Sequence, residues 1–134
     1  RRPLSVRALL LDKDGVLWIG TSNGLFTLNR LTRQFNKYTS NVSDFTSLSD
    51  NLINVIYQDS YNNIWIGTEE DGVFFYNYRT GQTQKIRNDS KTNTSLIANS
   101  ILSFQEDQNN TVWIGTKFGI SKRSLKKSNF NLLI

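Results

Sequence analysis

The feature that most constrains this chain is that it nearly copies itself three times. Leu17-Trp18-Ile19-Gly20-Thr21 returns as Ile64-Trp65-Ile66-Gly67-Thr68 and again as Val112-Trp113-Ile114-Gly115-Thr116, with the Trp residues 47 and 48 positions apart. Six residues before each Trp is an Asp (Asp12, Asp59, Asp107), and three residues after each Asp is Gly15, Asn62 or Asn110. Beyond each Thr comes another glycine, Gly24, Gly72 or Gly119. Apolar residues keep the same register upstream, at Val6, Ile53 and Ile101 and at Leu9, Ile56 and Phe104. A period of this length marks an architecture in which one supersecondary unit stacks on copies of itself.

Each unit reads as four short strands. The first strands are expected at 6–11, 53–58 and 101–106, followed by a turn in which Asp caps backbone N–H groups and Gly or Asn takes the left-handed conformation. The Trp strand comes next. Third strands are expected at 25–29, 73–77 and 120–124, and fourth strands at 34–38, 82–86 and about 130–133. No window carries an apolar period of 3.6, so helix is not expected. In Leu17-Trp18-Ile19 apolar residues do not alternate with polar ones, so both faces of that strand require cover. Four-stranded sheets packed face to face around an axis provide it, which makes the chain all-β and each unit a blade of a β-propeller. The blades are placed at about 4–38, 52–86 and 99–134, within one domain spanning 1–134. Trp18, Trp65 and Trp113 then fill the layers between blades. Gly20, Gly67 and Gly115 mark where a neighbouring blade comes too close for a side chain.

Three blades do not close a ring, which usually takes about four to eight. The expectation is an open, incomplete arc cut from a longer chain, ending on the apolar stretch Phe130-Asn131-Leu132-Leu133-Ile134. Its partners would be the remaining blades of the parent propeller, and in isolation it should self-associate through its open faces.

Composition removes much of enzyme chemistry. With no Cys and no His there is no thiol nucleophile, no His-based triad and no zinc site of the usual kinds. No apolar run approaches the ~18 to 20 residues that span a bilayer as a helix. The net charge of +5 is local: residues 1–116 are neutral, and the excess sits in Lys117, Lys122, Arg123, Lys126 and Lys127. One short basic end is a solvated strand and turn rather than the basic stripe of a nucleic-acid surface, so no nucleic-acid partner is expected.

Candidate ligand contacts are those where one copy departs from the others. Tyr61 and Phe118 are aromatics in turns where other copies carry small polar residues, and an aromatic there suits stacking on a sugar ring. Glu69, Glu70 and Asp71 form an acidic cluster in one turn. Asp12 and Asp14 before Gly15 only faintly match a calcium loop; the recurrence of Asp12, Asp59 and Asp107 in one slot reads as turn capping, with no metal or other cofactor. A glycan lyase or hydrolase on this scaffold would need charged groups converging on the ring centre. The first strands offer Arg7, Asn54, Gln58, Gln105 and Glu106 without a repeated acid pair. A purely structural interaction platform is the other alternative.

The pattern Asp-x-x-(Gly/Asn)-x-(Leu/Ile/Val)-Trp-Ile-Gly-Thr, followed by Gly and an aliphatic residue, resembles the two-component regulator propeller repeat. The third copy departs after Gly119, where Ser121-Lys122-Arg123 replace apolar strand residues. The resemblance implies a non-catalytic ligand-sensing segment in the periplasmic region of a hybrid two-component histidine kinase, with an oligosaccharide as ligand.

Overall fold

The computed structural model describes residues 4–38, 51–89, 91 and 96–126, together with the backbone of 130–132. Its strands in chain order are β1 (Val6–Leu11), β2 (Val16–Thr21), β3 (Gly24–Asn29), β4 (Gln34–Lys37), β5 (Ile53–Gln58), β6 (Ile64–Thr68), β7 (Val73–Tyr76), β8 (Thr83–Ile86), β9 (Ile101–Glu106), β10 (Thr111–Thr116), β11 (Gly119–Ser124) and β12 (Phe130–Leu132). They make three separate antiparallel sheets, β1 to β4, β5 to β8 and β9 to β12, each paired in sequence order. These are three propeller blades in an open arc. Of the connections between blades, residues 39–50, 90 and 92–95 lie outside the described residues.

The first strands β1, β5 and β9 run beside one another at the inner edge of the arc. In each, the pairing with the Trp strand skips one residue: Arg7, Asn54 and Leu102 have no partner opposite. A bulge of this kind re-aims the extra side chain. It turns Arg7 toward Asn54 of the second blade, 3.3 Å away, and Asn54 toward the Ile101 carbonyl of the third, 2.9 Å away.

Among the described residues, two apolar cores lie between the three sheets. The first holds Trp18 and Leu25 of one blade against Ile53, Ile56, Ile64, Ile66 and Phe74 of the next. The second holds Trp65, Val73 and Phe75 against Ile101, Val112 and Ile114. At about 1.5–3 kcal/mol for each large side chain removed from water, these layers are the main stabilising term. The same motif position is buried only where a blade covers it. Ile64, Ile66, Val112 and Ile114 are buried, whereas Leu17 and Ile19 in the first blade are half-exposed. Leu9 is 61% exposed and its counterpart Ile56 is 7% exposed.

The Trp series shows the same rule from the other side. Trp18 and Trp65 are buried, as the repeat requires, but Trp113 on the free face of the third blade is only half-buried. The Lys122 ammonium lies 5.4 Å above its ring. Close approach at the glycines is likewise selective. A Cβ on Gly20 would stand 2.6 Å from Ile53 Cγ2, and one on Gly67 2.6 Å from Ile101 Cγ2, both across the blade interface. At Gly115 the nearest atom is instead Ser103 Oγ of the same sheet.

Candidate functional site

The rim carrying the β1–β2, β5–β6 and β9–β10 hairpins is organised by one repeated device. One oxygen of Asp12, Asp59 or Asp107 accepts two backbone N–H groups of its own turn, and the other accepts the indole Nε1–H of the Trp six residues on, at 2.8 Å in all three copies. Gly15, Asn62 and Asn110 follow with φ of 86°, 72° and 60°, in the left-handed region that closes the hairpin. Sequence reading supplied the turn; the indole bond, which fixes the Trp rotamer in the inter-blade layer, came only from the structure.

Adjacent blades are tied at both rims by bonds that no single-repeat reading anticipates. On the hairpin rim, the last residue of a first strand accepts from the preceding blade: Gln58 Oε1 from Lys13 N at 3.2 Å, and Glu106 Oε1 from Ser60 N at 2.9 Å. Tyr57 and Asn110 also donate to Glu106. Burial opposes its ionisation, but these donors outweigh that and hold its carboxyl below the ordinary value. Burial and the same carboxylate push the Tyr57 hydroxyl up to about 12. On the opposite rim, Gly24 N donates to Asn51 O and Gly72 N to Asn99 O of the following blade.

The acidic turn does not act as one cluster. Glu69 points inward, accepting from Asn54 at 2.8 Å and pairing with the Lys117 ammonium of the next blade. The Asn54 amide and Lys117 hold its carboxyl below the ordinary value. Asp71 points outward to Lys85 on β8 and to Arg87 just beyond it, at 2.9 and 3.0 Å. Glu70 is exposed between them. Asp12 spends its oxygens on turn N–H groups and the indole, while Asp14 Oδ1 faces the Tyr78 hydroxyl at 3.5 Å. Tyr61 and Phe118 sit in turns on opposite rims, so the fold does not bring them together. Phe118 is 75% exposed. Tyr61 borders a concavity.

That concavity, about 300 Å³, opens on the hairpin rim between the second and third blades, and Tyr61, Phe75, Arg79, Arg123, Leu125 and Lys126 line it. The corresponding groove between the first and second blades is built differently. There Tyr76 packs on Trp18 at 5.8 Å, and Tyr78 lies under Lys13 Nζ, 5.0 Å from its ring centre. In the third blade the same two positions hold Arg123 and Leu125. The shorter Leu125 leaves space where Tyr78 stands. Arg123 replaces the Tyr76 ring with a guanidinium 4.9 Å from Phe75 and 5.8 Å from Trp65. The basic end is therefore not simply a solvated strand. Lys117 bridges two blades, Lys122 covers Trp113, and Arg123 is wedged between sheets because the layer there offers aromatic faces for a flat cation.

The model of the two component regulator propeller family matches residues 2–23, 47–70 and 95–118, just over half of the chain. The chain belongs to this family. Among solved structures it resembles one described as the extracellular domain of a hybrid two component system from B. thetaiotaomicron, with 24% identity and a TM-score of 0.79, covering 96% of this chain and 18% of that one. A second such extracellular domain from B. thetaiotaomicron matches at 30% identity and a TM-score of 0.75, covering 91% of this chain and 16% of that one. This regulator propeller segment therefore spans less than a fifth of either relative and is homologous to extracellular propeller domains of hybrid two-component systems. A streptogramin B lyase, at 12% identity and a TM-score of 0.63 over 96% of this chain and 41% of that one, shares the fold alone. No curated protein matches the chain. Among the described residues no helix is long and apolar enough to cross a membrane.

Proposed function

We propose that this segment is part of the periplasmic sensor propeller of a hybrid two-component histidine kinase, and that it contributes to binding an oligosaccharide without transforming it. The observation that carries this reading is the match, at 30% identity over 91% of the chain, to the extracellular domain of a hybrid two component system. Local chemistry supports a binding role. Glu69, Asp71 and Glu106 are each engaged in ion pairs or hydrogen bonds between strands or blades, so these carboxylates serve as struts rather than as a facing acid and base. The half-exposed Leu17 and Ile19 and the half-buried Trp113 fit cover by further blades of the parent ring on both sides. Ligand binding would then bias the placement of this ring against its neighbours, which is how a rigid scaffold passes a signal.

The test is calorimetric titration of the intact parent protein with defined polysaccharide fragments, with the same mixtures assayed for reducing ends and unsaturated products. Saturable binding with the fragments recovered unchanged is the expected result. Release of cleavage products would replace sensing with catalysis.

A further inference from the structure

The groove between the second and third blades departs from the repeat in one consistent direction, and that departure is the basis of this inference. Where the first groove is closed by Tyr78 and carries the matched pair Lys13 and Asp14, the second is open and carries Arg79, Arg123 and Lys126. The Asp59 carboxylate, which acts on Arg123, already accepts from the Trp65 indole at 2.8 Å and from Asn63 at 3.1 Å. Neither Arg79 nor Lys126 forms a side-chain ion pair among the described residues. The Arg123 guanidinium carbon lies 4.9 Å from the Phe75 ring centre and 5.8 Å from that of Trp65, so packing places it before any ligand arrives. Burial holds the Arg123 guanidinium below its ordinary value, and the Asp59 carboxylate offsets this only in part. Tyr61, 45% exposed, supplies an aromatic face at the mouth. The volume of about 300 Å³ is at the small end for ligand sites and suits one sugar ring.

We propose that this groove binds an acidic sugar, its carboxylate or sulfate group held by Arg123, Arg79 and Lys126 and its ring lying on Tyr61. A cationic, aromatic-edged pocket of this size favours a ring that carries an anion over a neutral ring, because charge-assisted hydrogen bonds from guanidinium and ammonium groups contribute more than neutral ones. For the saccharide class the proposal rests on the sensor reading above; for the anion it rests on the groove itself.

The test is titration of the 134-residue chain with glucuronate, glucose 6-sulfate, glucose and inorganic sulfate, followed by calorimetry and by the indole N–H resonance of Trp65. Both charged sugars should bind, and glucose should bind at least about tenfold more weakly. Arg79→Ala and Lys126→Ala, which remove partly or fully exposed side chains, should each weaken charged-sugar binding by roughly tenfold while the far-ultraviolet dichroism is unchanged. Tyr61→Ala should weaken both sugars and leave inorganic sulfate unaffected. Equal binding of glucose and glucuronate, or no effect of the two cation variants, would overturn the proposal. Inorganic sulfate binding as tightly as the sulfated sugar, with Tyr61→Ala silent, would overturn its saccharide part. The sensor reading is judged separately by whether the intact protein binds polysaccharide fragments of any charge, so either can fail alone.

Discussion

Removing the Asp59 carboxylate should be one of the most damaging single changes outside the apolar layers. Asp59 is 3% exposed and accepts four hydrogen bonds: from Tyr61 N at 2.8 Å, Asn63 N at 2.9 Å, Asn63 Nδ2 at 3.1 Å and Trp65 Nε1 at 2.8 Å. In Asp59→Ala, water can reach Tyr61 at the rim, but Asn63 is 8% exposed and Trp65 fully buried. At roughly 1–3 kcal/mol for each buried donor left without an acceptor, the three stranded donors, Asn63 N, Asn63 Nδ2 and Trp65 Nε1, imply a loss of at least about 3 kcal/mol. That is a large share of the ~5–15 kcal/mol available to a typical domain. The assay is urea unfolding followed by far-ultraviolet dichroism. A double-mutant cycle with Trp65→Phe isolates the indole bond, for which a coupling of about 1.5–3 kcal/mol is expected for a donor on a carboxylate. Asp107→Ala removes the same bond, also 2.8 Å, from the half-buried Trp113, where solvent can substitute, so it must cost clearly less. Equal losses at the two positions, or a coupling below about 0.5 kcal/mol, would refute the reasoning from burial.

Three further outcomes follow from the same geometry. Gly67→Ala places a Cβ 2.6 Å from Ile101 Cγ2 and 2.7 Å from Val55 Cγ1 and should cost about 1–3 kcal/mol in urea unfolding, whereas Gly115→Ala meets mainly the end of Ser103 and should cost less; the reverse order would contradict the packing. Glu69 and Glu106 both titrate below their ordinary 4.5 in the folded chain, so their contribution is complete above that value and disappears as pH falls through the folded values; stability should drop on acidification, with a shallower drop in Glu106→Gln, and an unchanged slope would exclude Glu106 from the linkage. Light scattering of the isolated chain should give a mass above 15.4 kDa, reduced by Leu9→Glu on the open face of the first blade, and a clean monomer at high concentration would show that face to be covered.

The sequence by itself determined the repeat unit, because everything that sets it is local. Asp12, Asp59 and Asp107 bond within their own turns, Gly15, Asn62 and Asn110 take φ > 0 within one hairpin, and an unalternating apolar triplet at each Trp demands cover on two faces. Strand order follows from those signals, and the first strands lie where expected, whereas each third and fourth strand begins or ends about one residue away from its expected limit. The tertiary structure alone decided which copies of a motif are buried, because Leu17 and Ile64, or Trp65 and Trp113, differ only in whether another sheet lies against them. It also separated Glu69 from Asp71, adjacent in text but drawn apart by Lys117 on one side and Lys85 and Arg87 on the other. The groove at Tyr61 belongs to both levels. The replacement of Tyr76 and Tyr78 by Arg123 and Leu125 can be read by laying the repeats over one another, but that these positions face Tyr61 and Arg79 of the preceding blade depends on how two sheets stack, a non-local relation that spacing along the chain does not encode.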